Sequence, residues 1–379
     1  MSSLIQSTRR LRRIFLGVLC VACLAGPAKP FPLRAQSSGV VLNEQVMVPM
    51  RDGVKLATFI RRPEGGQKVP AILSRTPYNA APKIEMPPRE QARPGDLALS
   101  HAVIAQDVRG RYASEGEFYP FINEGKDGYD TIEWIAQQPW CDGNVIMIGG
   151  SYVAYTQLAA AMERPPHLRA IAPVVAPADF NGNMSFHGGA LRQELVQGWL
   201  IGQAFNSQRV RRGEVPKDQL ERWRTEGRFA EWCWHLPLAD TGPMVIGGPS
   251  YEKAWKDFVG SWTVPRAWDA YSPMVNVEKI TVPVLLVAGW YDIFSQGDLD
   301  LWAALRYFVM RSDRWVDTDH WPPKDAAPTR YYLRFDTASR KRSLDTQAPP
   351  GEAPPSTFNY DPRSPVATLG GNNLTIVNG

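Results

Sequence analysis

Asn144-Val-Ile-Met-Ile-Gly-Gly-Ser151-Tyr-Val-Ala-Tyr-Thr-Gln-Leu-Ala-Ala-Ala-Met162 is the stretch that decides the fold. Val145 to Ile148 is an unbroken apolar run, the pattern of a strand buried on both faces. Two glycines and Ser151 follow, and then a helix-prone stretch with three consecutive alanines. Strand, tight Gly/Ser turn and helix is the layout of a nucleophile elbow. A sharp turn lifts the serine oxygen clear of the sheet, and the helix start beyond it presents free N–H groups to an oxyanion. The motif G-x-S-x-G is only partly met, because Val153 stands at its second glycine. A plain strand-turn-helix connection with a solvent-facing serine would give the same pattern, so spacing alone leaves both readings open.

Around this stretch, a chain of 379 residues has room for one large α/β domain with smaller attachments. The composition, 44% hydrophobic and 21% charged, is that of a globular protein. The net charge of +4 comes from Arg9, Arg10, Arg12 and Arg13; the remainder is near neutral, which gives no case for a nucleic-acid partner. That basic opening and the apolar run from Ile14 to Gly26 read as an export signal over residues 1–35. The run is too short to span a bilayer comfortably. The expected location is therefore periplasmic or secreted, with no stable membrane span after processing. Only Cys141 and Cys233 lie beyond the leader, too few for a disulfide scaffold, and no Cys/His group has zinc spacing. Neither a metal nor a cofactor is expected.

Upstream of the elbow, Glu44 to Val48 and Val54 to Arg61 alternate as strands joined by a turn at Asp52-Gly53. Val69 to Leu73 is a buried strand closed by Pro77, which leaves Tyr78 beyond its carboxyl end, the edge where ligands bind in open α/β sheets. Ala102 to Ala105 leads into a loop in which Asp107 and Arg109 are expected to form a structural ion pair. Glu124 to Gln137 has Tyr129, Ile132 and Ile135 spaced for one buried helical face. Ala170 to Val175 is the next strand.

Residues 179–273 differ in character: helix-length segments rich in tryptophan, including Trp199, Trp223, Trp255 and Trp268, read as a helical cap. Most of these rings are expected to pack the cap, with one or two lining an acyl pocket. Val282 to Ala288 resumes the sheet. Asp292 falls just past it, where the acid of a Ser…Asp…His order belongs, although a turn or N-cap aspartate fits the same position. A β-rich tail starts at Tyr331.

Several motifs together, Gln106-Asp-Val-Arg-Gly110, Ser114-Glu-Gly-Glu-Phe118, Trp140-Cys-Asp-Gly-Asn144, Gly149-Gly-Ser-Tyr152 and Ala288-Gly-Trp-Tyr-Asp292, resemble the CocE/NonD hydrolases in that family's order. The resemblance runs from about Glu44 to Phe294. It implies an α/β-hydrolase core in two parts (40–178 and 274–310), an inserted helical cap (179–273) and a shortened, jelly-roll-like C-terminal β segment (311–379). It also implies a serine hydrolase acting on a small ester, amide or peptide, of acyl-esterase or Xaa-Pro dipeptidyl-peptidase type. Ser151 matches the nucleophile and Asp292 the triad acid. The Tyr78 hydroxyl and the Tyr152 backbone N–H match the oxyanion hole. Ala154 replaces a glycine usual three residues after the nucleophile.

The larger departure is the general base. The Gly-Pro-Trp-x-His loop of the family has no counterpart, and the segment around Tyr307 to Trp315 resembles what normally follows it. His320 is the one histidine in a suitable order after Asp292, but its context resembles the region beyond the family histidine. Two readings follow: a serine hydrolase working through an acyl-enzyme, and an impaired or inactive homologue that keeps a pocket.

Overall fold

A computed structural model describes residues 39–81, 89–91, 95–187, 189–226, 228–261, 268–289, 292–303, 307–309, 314–316, 332–336 and 341–347. The expected export signal and His320 lie outside the described residues.

Strands β1 (Val40–Pro49) and β2 (Lys55–Pro63) form an antiparallel hairpin in register from Val41↔Pro63 to Pro49↔Lys55. The Asp-Gly turn closes it as the sequence predicts. Gly53 takes φ +87°, and Asp52 Oδ1 accepts the Val54 N–H at 3.2 Å. Strands β3 (Val69–Thr76), β4 (Arg89–Gln91) and β5 (Ala102–Asp107) precede helix α1 (Glu124–Ala136), strand β6 (Cys141–Gly150), helix α2 (Tyr152–Met162) and strand β7 (Leu168–Val174). The sheet order is β4-β1-β2-β5-β3-β6-β7. β1 and β2 pair antiparallel with their neighbours, while β3, β5, β6 and β7 run parallel. Segment 283–287 extends this order parallel to β7: the N–H groups of Ile171 and Val175 donate to Pro283 and Val287, and those of Leu285 and Val287 donate to Ile171 and Pro173.

The core follows from the sequence pattern. Leu73, Ile104, Val145 and Met147 from the sheet meet Ile132 and Ile135 of α1 and Ala154, Leu158 and Ala160 of α2, all at 0–1% exposure. Each large aliphatic side chain removed from water contributes about 1.5–3 kcal/mol. The alanines of α2 matter differently, since small side chains let α1 approach closely. A Cβ placed on Gly128 of α1 would lie 2.7 Å from Ala160 Cβ. Tyr129 is only half-buried and sits under the Arg51 guanidinium, so the buried face of α1 is centred on Ile132 and Ile135.

Beyond β7 come a π-helical turn (Phe180–Met184), a two-residue pair β8 (Phe186–His187) and β9 (Ala190–Leu191), and a second π-helical turn (Glu194–Gly198). Helices α3 (Trp199–Phe205), α4 (Gln208–Arg211), α5 (Lys217–Glu226), α6 (Phe229–Trp232) and α7 (Pro249–Gly260) follow. A second core joins this segment to the loop after β5 and the start of α2. It is aromatic: Phe118, Phe121, Tyr152, Tyr155, Phe180, Trp255, Phe258 and Trp268 are each at most 3% exposed. Trp255 and Trp268 are packing residues, as expected, whereas Trp234 is 67% exposed. Helix α8 (Ser295–Ala303) and the strand pairs β10 (Tyr307–Val309) with β11 (Arg314–Val316) and β12 (Tyr332–Asp336) with β13 (Lys341–Asp345) follow.

The expected Asp107–Arg109 ion pair does not form. Arg109 instead pairs with Asp127 of α1 and Asp52 of the hairpin turn, both at 2.7 Å. Asp107 accepts the backbone N–H groups of Ala80 and Ala113, at 2.6 and 3.4 Å. A loop that leaves a sheet edge exposes backbone donors, and Asp107 is the nearest acceptor for two of them. Burial pushes its carboxyl up to about 6.

Candidate active site

β6 ends and α2 begins at Ser151, which has φ +60° and ψ −127°. A non-glycine residue there carries about 1–3 kcal/mol of backbone strain. The surroundings hold it in place: the Ser151 N–H donates to Val174 O at 2.9 Å, and its carbonyl accepts the N–H groups of Ala154 and Tyr155. The glycine before the turn is required by the residue after it. Gly149 has φ +137°, and a Cβ there would lie 2.3 Å from Val153 Cγ1. Val153 thus takes the place of the second glycine of the elbow motif, and the missing side chain at Gly149 makes room for it.

Tyr78 sits at the same sheet edge. It follows β3, the neighbour of β6, and its N–H donates to Thr76 Oγ1 at 3.0 Å. Its hydroxyl lies beside the Ser151 side chain and accepts the Trp199 Nε1–H at 3.2 Å. Burial of that end of the ring raises the phenol above its ordinary value, and the Trp199 hydrogen bond, the Ser151 side chain and the Arg111 charge oppose the rise. As a whole the residue is 42% exposed, so the desolvation acts on the hydroxyl end while the rest meets solvent.

Tyr152, the next residue after Ser151, opens α2. Its N–H is in the first turn, where no carbonyl of the helix can accept it. Its ring is buried against Phe121 and Trp199, and its hydroxyl donates to Glu124 Oε1 and accepts the Phe121 N–H, both at 2.9 Å.

Asp292 lies beyond segment 283–287, at the carboxyl end of the strand next to β7. Its Oδ1 accepts the Phe294 N–H at 2.8 Å, and its carbonyl accepts the Ser295 N–H, so it caps the turn into α8. Nearby, Arg192 donates to the carbonyls of Asn183 and Ile293 at 2.6 and 2.8 Å. Asp298 of α8 is fully buried, with Oδ1 accepting the Ala176 N–H at 2.9 Å. Burial first, and the Asp292 charge second, push Asp298 up to about 7. Trp290 and Tyr291 lie outside the described residues.

Three of the four described histidines are engaged elsewhere. His101 Nδ1 is 2.8 Å from Ser100 Oγ, His167 Nδ1 is 2.7 Å from Glu133, and His235 Nε2 is 2.7 Å from Asp240. His187 is exposed on β8. Among the described residues, no histidine makes a hydrogen bond to Ser151 or Asp292. No group of His, Cys, Asp and Glu there can hold a metal, and none of the described helices is long and apolar enough to cross a membrane.

Trp199 and Arg111 are the residues at this site to which motif reading assigns no role. Trp199 was one tryptophan among many, and nothing in its spacing marks an indole N–H aimed at Tyr78. Arg111 falls inside a conspicuous loop but contacts Pro77, Gln203 and Tyr251, all remote in sequence.

A strained serine between a buried parallel strand and a helix, in a mixed sheet with helices packed on it, defines an α/β-hydrolase fold. A solved aminopeptidase from a marine-sediment Thaumarchaeota archaeon shares the fold, with TM-score 0.51 and 20% identity over 85% of this chain and 65% of that one. The chain belongs to the X-Pro dipeptidyl-peptidase (S15) family, whose model matches residues 52–309. It is 30% identical to cocaine esterase of Rhodococcus sp. (strain MB1 Bresler), over 87% of this chain and 69% of that protein. A solved α-amino-acid ester hydrolase matches with TM-score 0.50 and 25% identity, over 73% of this chain. The chain spans less than two thirds of each of these two solved structures, 65% and 47%. The alignment with cocaine esterase runs over 400 positions; 87% of 379 residues is about 330, so about 70 of its positions have no counterpart here.

Proposed function

We propose that the chain is a serine hydrolase that cleaves a small ester, amide or peptide bond through an acyl-enzyme on Ser151. The observation that carries this reading is the Ser151 backbone, held at φ +60° beside the Tyr78 hydroxyl. Strain at such a position persists where the surroundings over-determine it, and here it presents the serine oxygen at the ligand-binding edge of the sheet. Attack of Ser151 Oγ on a carbonyl puts negative charge on the acyl oxygen. The Tyr78 O–H and the Tyr152 N–H are the donors that receive it, and burial keeps Tyr78 protonated for the purpose. Asp292 is the acid of the site. The aromatic segment 179–273 serves as the cap that selects the substrate, and residues 1–35 direct the chain to the periplasm or outside the cell.

The step also needs an acceptor for the Ser151 proton. The engagement of three described histidines elsewhere and the exposure of the fourth, His187, with the unmatched positions in the cocaine esterase alignment, favour an impaired catalyst over an efficient one. Loss of the base from such a unit costs about six orders of magnitude in kcat. Hydrolysis of p-nitrophenyl butyrate by purified protein tests the reading. Weak turnover that disappears in Ser151→Ala is the expected result, and turnover unchanged by that substitution would refute it. N-terminal sequencing of protein from its native host tests the export signal, with a start after about residue 28 to 36 expected.

A further inference from the structure

Tyr78 is fixed more firmly than a residue on a loop need be. Its N–H is tied to Thr76, and the carbonyl before it, on Pro77, accepts the Arg111 Nε–H at 2.9 Å. Arg111 is 1% exposed, and its Nη1 donates to Gln203 O at 3.0 Å and to the Tyr251 hydroxyl at 2.7 Å. Gln203 and Trp199 lie four residues apart on α3, so they share one face of that helix. One guanidinium therefore sets the distance between the Tyr78 peptide and the helix whose Trp199 reaches the Tyr78 hydroxyl.

The indole is equally constrained. Its ring stacks on Tyr152 at 5.7 Å and 19°, and on Phe121 at 5.9 Å and 27°. It thereby touches both proposed oxyanion donors: the Tyr78 oxygen through its N–H and the Tyr152 side chain through its face. An indole N–H can only donate, so the Tyr78 oxygen must accept from it, and the phenolic hydrogen has to point elsewhere.

We infer that Trp199 is a positioning residue for the oxyanion hole, its Nε1–H fixing the Tyr78 oxygen so that the phenolic hydrogen is presented to the acyl oxygen. Arg111 holds the two residues in register. The inference rests on the oxyanion role proposed for Tyr78. A donor on the phenol oxygen also strengthens the phenol as a donor in turn, since each bond of such a chain polarises the next. The Arg111 charge acts in the same direction.

Trp199→Phe tests this, because it keeps an aromatic ring against Tyr152 and Phe121 and removes the N–H. In protein labelled with carbon-13 at tyrosine Cζ, the Tyr78 resonance is assigned by its loss in Tyr78→Phe, and the remaining tyrosine signals report that the fold is intact. Trp199→Phe is expected to displace the Tyr78 Cζ resonance and move its titration to higher pH. With p-nitrophenyl acetate, kcat should fall roughly three- to tenfold with KM little changed, the loss of one hydrogen bond. Trp199→Phe should cost nothing further in a Tyr78→Phe background. An unmoved Tyr78 resonance, or an additive loss in the double variant, would overturn the role of Trp199 and leave Ser151-dependent turnover standing. Turnover that survives Ser151→Ala would overturn the hydrolase reading itself.

Discussion

Glu124 of α1 accepts the Tyr152 hydroxyl on one carboxylate oxygen, at 2.9 Å, and meets Arg75 Nη1 on the other, at 3.0 Å. Glu124 is 3% exposed and Arg75 0%. The residue that follows Ser151 is thus anchored, through one buried carboxylate, to an arginine of the central strand β3. Arg75 Nε in turn donates to Gln106 Oε1 at 2.7 Å, which extends the anchor to β5.

Glu124→Ala should therefore be costly. It leaves the Arg75 charge without its closest partner, and breaking a buried pair from one side costs about 3–5 kcal/mol. Asp127, 4.0 Å from Arg75 Nη2, places the expected loss at the lower end of that range. Glu124→Gln keeps an acceptor for Tyr152 and should lose less. Urea denaturation of the two variants decides this; equal losses would mean that the Tyr152 bond contributes nothing.

Gly149→Ala should destabilise the elbow by about 2–4 kcal/mol, combining a positive φ with a methyl pressed against Val153. In a Val153→Gly background the added cost of Gly149→Ala should fall, since the steric part is removed and only the backbone part remains. Thermal unfolding of the four proteins in this cycle measures the coupling. Strict additivity would show that Val153 is not why position 149 lacks a side chain.

The elbow was legible because its signals are local: an apolar run, two glycines, a serine and a helix former in eleven or so residues. The sheet strands were legible for the same reason, and the ends of β1, β2, β3 and β5 extend past the apolar cores by which they are recognised. What the sequence did not disclose depends on side chains meeting across the fold. Sequence proximity pairs Arg109 with Asp107, but in three dimensions Asp127 and Asp52 are better placed. The Trp199 to Tyr78 bond joins residues far apart in the chain, and no periodicity announces it. Asp292 was readable both as triad acid and as turn residue; its bond from the Phe294 N–H is the second of these and leaves its other oxygen for the first.

Stability should fall as pH rises from about 4 to about 7. Asp298 is pushed up to about 7 by burial, against an ordinary aspartate value near 4. Between those values the folded chain holds a proton that the unfolded chain has released, so raising the pH favours unfolding. Asp298→Asn keeps an acceptor for the Ala176 N–H and removes the charge. It should flatten the profile and raise stability above pH 7 by roughly 2–4 kcal/mol. Asp107, raised to about 6, leaves a residual slope of the same sign. Chemical denaturation across this window checks the prediction; a variant less stable than the parent at pH 8 would contradict it.

The last prediction concerns the acceptor of the Ser151 proton. A serine hydroxyl with no base beside it is a poor nucleophile at neutral pH. His101, His167 and His235 are bonded to Ser100, Glu133 and Asp240, and His187 lies on β8. Alanine at any of the four should leave Ser151-dependent hydrolysis of p-nitrophenyl butyrate essentially unchanged, and His320→Ala should hardly alter it. Imidazole added to the assay should then do what a side chain does not. The part of the rate that Ser151→Ala abolishes should rise with imidazole concentration, after the direct reaction of imidazole with the ester is subtracted using the Ser151→Ala protein. A resident base would already occupy the position and leave imidazole without effect. Fast turnover that is insensitive to imidazole and abolished by His320→Ala would overturn the impaired-catalyst reading, and would make His320 the base.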